Sequence, residues 1–168
     1  MKQHLERMAA YQRWTFEVLY AALLPLDAAR YRADLDLFFH SIHGTLNHLL
    51  VADKVWFGRV AGTPFAVSGL DAELETERAG LEQALYTHTT RWQDWLATQS
   101  DQQLAASVSY TNMAGTAFEQ ENATLLLHVF NHASHHRGQI SAAITGCGLA
   151  APDMDLIGYL RRAPRALS

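Results

Sequence analysis

The sequence predicts an all-α protein, a four-helix bundle, on three observations. Apolar residues recur at steps of three and four along four long segments, the period of amphipathic helices. The chain is 49% hydrophobic and 18% charged, enough apolar material to build a core. No repeat, low-complexity tract or linker interrupts the 168 residues, so the four segments are expected to form one domain over residues 1–168.

The first predicted helix covers residues 3–24, with Leu5, Ala9, Phe16, Leu19 and Leu23 on one stripe and Pro25 ending it. The second covers 41–61, with Ser41 as N-cap and Gly62 near the stop. Its stripe reads Ile42, Leu46, Leu49, Asp53, Trp56 and Val60. A third is expected over 71–99, starting at Asp71 and carrying Leu74, Leu81, Leu85, Trp92 and Leu96. The fourth covers 122–146, capped by Asn122 and closed by Gly146 and Gly148. Between the third and fourth, Val108, Tyr110, Ala117 and Phe118 flank the turn-forming residues 111–115, which predicts a short hairpin. Beyond Gly148 come Pro152, a short apolar stretch around Leu156, Ile157, Tyr159 and Leu160, and a basic tail with Arg161, Arg162 and Arg165. The connections after the first and third helices are long enough for connectivity other than simple up-down.

Composition narrows the function. Seventeen acidic residues stand against 13 basic ones, a formal charge of −4. The arginines are scattered, which argues against a grip on nucleic acid. The single cysteine, Cys147, excludes a disulfide framework and a cysteine-rich zinc site; it reads as a small buried hydrophobe. No apolar run approaches the roughly 18 residues of a membrane span, and residues 1–7 carry charge where a signal peptide needs an apolar run. The expected location is the cytoplasm, without membrane partners.

Nine histidines are the unusual count. The fourth helix carries His128, His132, His135 and His136. His132 and His136 lie about 40° apart, one turn above the other, and their stripe continues through Leu125, Val129, Ile140 and Ala143. Both rings are therefore expected inside the bundle, either as two ligands of a metal ion or as core histidines bonded to backbone or carboxylate. A further ligand must come from elsewhere, and the second helix offers His40, His43 and His48. His48 flanks the apolar stripe at mid-helix; His40 lies at the helix start and His43 about 140° around from His48. Three neutral imidazoles would leave coordination positions open, as in catalytic sites. The sequence His132-Ala133-Ser134-His135-His136 has alanine where a metalloprotease H-E-x-x-H helix carries its glutamate base, so that chemistry is excluded.

Other residues break the pattern of an ordinary core. Asp53 falls on an apolar stripe and wants a partner, Arg137 or an imidazole behind the metal, unless it sits at the stripe's edge. Gly138 costs about 1 kcal/mol relative to alanine in a helix, which predicts close approach of another helix, a merely tolerated glycine being the alternative. His128 and His135 are either donors to the ligand rings or surface residues. Trp14, Trp56, Trp92 and Trp95 stand at helical spacings and read as core.

The run Ser41-Ile42-His43-Gly44-Thr45-Leu46-Asn47-His48-Leu49-Leu50, followed by Asp53 and Trp56, resembles the second-helix motif of the DinB-like family. His128-Val129-Phe130-Asn131-His132-Ala133-Ser134-His135-His136-Arg137-Gly138-Gln139-Ile140 resembles its fourth-helix motif. Tyr11-Gln12-Arg13-Trp14 and Asp155-Leu156-Ile157-Gly158-Tyr159-Leu160 are also similar, so the likeness spans residues 3–160. It implies a four-helix bundle, often a homodimer, with a divalent metal on three histidines, here His48, His132 and His136. Related bundles are transferases and isomerases dependent on low-molecular-weight thiols such as bacillithiol or mycothiol.

The expected function is thus a metal-dependent enzyme, of thiol-dependent transferase or hydrolase type, acting on a small-molecule substrate. Zinc or nickel is the first expectation for the metal, although imidazole also suits copper and iron. Asp53 and Gln139 are candidates for orienting roles, and no general base can be named. The alternative is a non-catalytic stress-response bundle whose metal or histidines are structural.

Overall fold

A computed structural model describes residues 1–162; Arg165 of the basic tail lies outside them. Four long helices dominate: α1 (Lys2–Leu23), α3 (Ile42–Ala61), α4 (Arg78–Thr98) and α6 (Asn122–Gly146). Short helices α2 (Ala28–Arg32), α5 (Asp101–Ala105) and α7 (Leu156–Arg162) fill the connections. Strands β1 (Ser107–Thr111) and β2 (Ala117–Glu121) form the predicted hairpin, antiparallel with Tyr110 opposite Phe118 and Val108 opposite Gln120.

Each long helix contributes one half to each of two apolar clusters, and this sets the direction of the chain. One cluster gathers Phe16, Leu19 and Leu23 of α1, Ile42, Leu46 and Leu50 of α3, Leu81 and Leu85 of α4, and Ile140 and Ile144 of α6. The other gathers Leu5 and Ala9, Phe57, Trp92 and Leu96, and Leu126, Val129 and Phe130. Helices α1 and α6 therefore run one way and α3 and α4 the other, an up-down-down-up order. Helix α1 packs on α4 and α6, and α3 packs on the same two, so consecutive helices α1 and α3 sit across a diagonal. Burying each large aliphatic side chain contributes about 1.5–3 kcal/mol.

Between the clusters lies a buried polar layer. Asp53 is 5% exposed, and Gln12, His88 and Thr89 are similarly enclosed. Trp92 Nε1 donates to Asp53 Oδ1 at 2.6 Å. His88 Nδ1 lies 3.0 Å from Asp53 Oδ2 but is not aligned for a hydrogen bond.

Several expectations are corrected. Helix α4 starts at Arg78, not Asp71, and Leu74 reaches the core from a loop. The cause is tertiary: Asn47, buried on α3, accepts the Leu74 and Glu75 N–H groups at 2.8 and 3.0 Å and donates to the Glu75 carbonyl. This side chain replaces the bonds a helical turn would have made there. The Glu73 carboxylate accepts from His43 Nε2 at 2.7 Å and from Arg32 at 3.0 Å, which anchors the same loop and holds its pKa below the usual carboxylate range. Asn122 does not cap α6; Glu121 occupies the N-cap, and Asn122 donates to the Gln103 carbonyl instead. Gly138 is not closely packed: among the described residues an added Cβ would meet nothing within 4 Å. The tryptophans also divide: Trp92 is buried, whereas Trp14, Trp56 and Trp95 are half-buried. Cys147 is half-buried against the first cluster.

The start of α3 is set tightly. Ser41 Oγ accepts the Gly44 N–H at 2.9 Å, and the preceding turn brings the Phe39 carbonyl against Gly44. A Cβ at Gly44 would overlap that oxygen. Gly44→Ala is therefore expected to destabilise the protein by about 1–3 kcal/mol. Urea unfolding should show a lower midpoint at unchanged slope.

Candidate metal centre

Helices α3 and α6 run antiparallel in contact, which places the middle of one beside the middle of the other. His48 projects from α3, and His132 and His136 from successive turns of α6. His132 Nε2 lies 3.2 Å from His48 Nε2 and 3.1 Å from His136 Nε2, and one nitrogen from each ring falls within 4.8 Å of the others. His48 and His136 are buried; His132 is half-buried.

The opposite ring edges fix the proton positions. His48 Nδ1 lies 2.8 Å from the Leu70 carbonyl, which can only accept, so Nδ1 carries the proton and Nε2 presents a lone pair. His136 Nδ1 lies 2.7 Å from Gln139 Oε1, with the same consequence. Two bare nitrogens thus face one remaining ring nitrogen, and a single N–H from His132 cannot satisfy both. Two lone pairs and a third ring nitrogen converging on one point suit a cation, and this donor set could hold a metal ion, with two of the three rings oriented from behind as ligand histidines usually are.

Electrostatics keeps the rings neutral. Burial, reinforced by the neighbouring imidazoles His136 and His48, pushes the His132 pKa down to about 3. Burial lowers His136 to about 4, with the Gln139 bond opposing, and also lowers His48. Neutral imidazole is the form that ligates metal.

The Phe39 ring stacks on His48 at 3.7 Å between centroids, 14° from parallel. It is delivered by a turn in which Leu37 and His40 pair and in which Asp36 and His40 take positive φ of 54° and 63°. Such backbone costs a non-glycine residue about 1 kcal/mol or more and concentrates at functional sites. Phe39 is not visible as a site residue in the sequence, because neither periodicity nor motif marks this turn.

The other candidates fall elsewhere. His40 is exposed, and His43 is buried against Glu73. His128 and His135 are exposed and pack edgewise or tilted on His132 and His136 without hydrogen-bonding to them. Burial and the Arg59 charge lower the His128 pKa. Gln139, an orienting candidate, does contact the His136 ring. Asp53 does not: it bonds Trp92, and its imidazole neighbour is His88 rather than one behind the metal. Asp53 and His132 do border one cavity of about 10 Å3, shared with Gln12 and Thr89. Arg137 does not partner Asp53; it donates to Ser134 Oγ and lies over the Tyr11 and Phe16 rings. His88 escaped the sequence reading, although its place in the series Leu81, Leu85, His88, Trp92 marks an inward position.

Residues 1–166 match the DinB family. The chain belongs to the DinB family. Within it, the chain is similar to Protein DinB of Bacillus subtilis (strain 168), 25% identical over 159 residues that cover 92% of each chain. In fold it is similar to the crystal structure of a DinB-like protein from Bacillus cereus ATCC 10987. That likeness has a TM-score of 0.63 and 18% identity, and covers 89% of this chain and 92% of the other.

The neutral rings make stability depend on pH. An unfolded histidine titrates near 6.5, whereas His132 and His136 resist protonation down to about 3 and about 4. The unfolded chain therefore binds more protons in between, and stability is complete above about pH 6.5 and falls as pH drops toward 4. Thermal melts of metal-free protein should show this decline. A His132→Ala variant should show a shallower one over the same window.

Proposed function

We propose that the protein is a metal-dependent enzyme of the transferase or hydrolase type, acting on a small molecule, with His48, His132 and His136 as ligands of a divalent ion, zinc or nickel. What supports this most is the convergence of the three Nε2 atoms, two of them bare, with their Nδ1 atoms committed to Leu70 and Gln139. A divalent ion held by the three neutral imidazoles would supply Lewis acidity to a thiol or water. The residues of this chain do the rest. Leu70 and Gln139 hold two rings in the ligating tautomer, Phe39 shields the His48 face from water, and the half-buried His132 marks the side open to substrate. A low-molecular-weight thiol is the proposed co-substrate, in keeping with the family likeness. We place the protein in the cytoplasm as a homodimer without nucleic-acid or membrane partners. No helix among the described residues is long and apolar enough to cross a membrane, and the net charge of −4 disfavours phosphate backbones.

Titration of chelator-treated protein with zinc or nickel should give one ion per chain. His48→Ala and His132→Ala should each abolish stoichiometric binding, while Gln139→Leu should weaken it by roughly 10–100-fold, the usual cost of losing an outer partner of a ligand ring. Stoichiometric binding that survives both alanine changes would remove the ligand assignment. A screen of thiols and electrophiles on loaded protein then tests the reaction class. A steep fall in melting temperature on chelation, with no turnover in that screen, would instead favour the structural bundle.

A further inference from the structure

Away from the three histidines, the loop that follows α3 and the β1–β2 hairpin enclose a cleft of about 690 Å3, within the size range of small-molecule sites. Pro64, Phe65, Val67, Val108, Tyr110 and Met113 supply apolar walls. The charge is one-sided. Arg59 is the one charged side chain among the described lining residues, and Lys54 Nζ stands 5.2 Å from the Phe65 ring centroid at the edge. Among the described residues neither cation has a carboxylate within ion-pair reach, in a chain whose acids outnumber its bases. The hairpin acids Glu119 and Glu121 pair with Ser109 and Ser107 and are not among the described lining residues.

Arg59 is held in place rather than free. Its guanidinium lies 4.4 Å from the Trp56 ring centroid and 4.6 Å from that of Tyr110, and Nη2 donates to the Thr111 carbonyl at 3.0 Å. Both rings lie to one side of it and one donor is used, which leaves further N–H groups of a half-buried, pre-oriented cation without a charged partner. An oriented guanidinium beside apolar walls recognises an anionic group attached to an apolar body.

We propose that this cleft binds a small molecule with an aromatic or otherwise apolar body and one anionic group, the anion lying against Arg59. The assignment goes beyond the metal reading and does not depend on it. The two sites are neighbours nonetheless: the Trp56 ring that covers Arg59 also meets His128 at 4.9 Å, and the loop lining the cleft continues to Leu70, which orients His48.

Two fluorescent probes with the same body separate charge from apolarity: 1-anilinonaphthalene-8-sulfonate and neutral N-phenyl-1-naphthylamine, titrated on the full chain in the presence of chelator. One saturable site is expected for each. Arg59→Gln should weaken the sulfonate by about tenfold or more and change the neutral probe by less than about threefold, the scale of one charged hydrogen bond. Arg59→Lys should keep part of the preference, and Val67→Trp should weaken both probes by filling the cleft. Raised salt should weaken only the sulfonate on the unaltered protein, which tests the charge even if an Arg59 variant folds poorly. His132→Ala should leave both affinities unchanged, so loss of metal binding and loss of this site are read separately. Equal effects of Arg59→Gln on both probes, no effect of Val67→Trp, salt-insensitive sulfonate binding, or loss of sulfonate binding in His132→Ala would each overturn the proposal.

Discussion

Three imidazole nitrogens face one another in the middle of this bundle with at most one proton among them. That frustrated contact is the constraint on which the site depends. Lone pairs brought within 3.2 Å repel unless a proton or a cation lies between them; the one N–H that a neutral His132 can offer serves only one neighbour, and burial and the mutual proximity of the rings disfavour any further, charging proton. The protein holds the arrangement from behind, through the Leu70 carbonyl and Gln139, and from the side, through the stacked Phe39 ring. Strain in the turn carrying Phe39 belongs to the same account: Asp36 and His40 sit in the left-handed region so that one aromatic ring can be laid flat on the His48 ring.

A second consequence of burying polar groups runs through the core. Gln12, Asp53, His88 and Thr89 divide the apolar interior into two clusters. A buried carboxylate is expensive unless it is bonded; here the Trp92 N–H bonds one oxygen, and the His88 ring lies 3.0 Å from the other. Such a layer fixes the axial register of α3 against α4, because sliding either helix by a turn would strand Asp53 without partners. Register matters to the site, since His48 meets His132 and His136 only when α3 and α6 are correctly aligned.

The loops then do most of what distinguishes this bundle from a generic one. The segment after α3 lines the cleft beside Arg59, orients His48 through Leu70, and is then held out of helical conformation by Asn47 at Leu74 and Glu75. One stretch of irregular backbone thereby serves two neighbouring pockets, with the rigid helices supplying the side chains and the loop supplying walls and acceptors.

The sequence by itself determined the four long helices, the hairpin, and the convergence of His48 with His132 and His136. These follow from local periodicity, from a serine cap and a left-handed glycine stop on α3, and from an i, i+4 pair on an apolar stripe. Family resemblance added the same three residues. Tertiary structure alone decided the rest, because it depends on groups distant in the chain. Residues 71–77 form loop rather than helix because a side chain on another helix captures their backbone. Asp53 is answered by Trp92 and His88, not by Arg137, since helix pairing rather than sequence spacing selects its neighbours. Gly138 faces open space, a fact no propensity encodes. Leu70 and Phe39 act through a backbone oxygen and a strained turn, neither of which leaves a mark on the pattern of residue types.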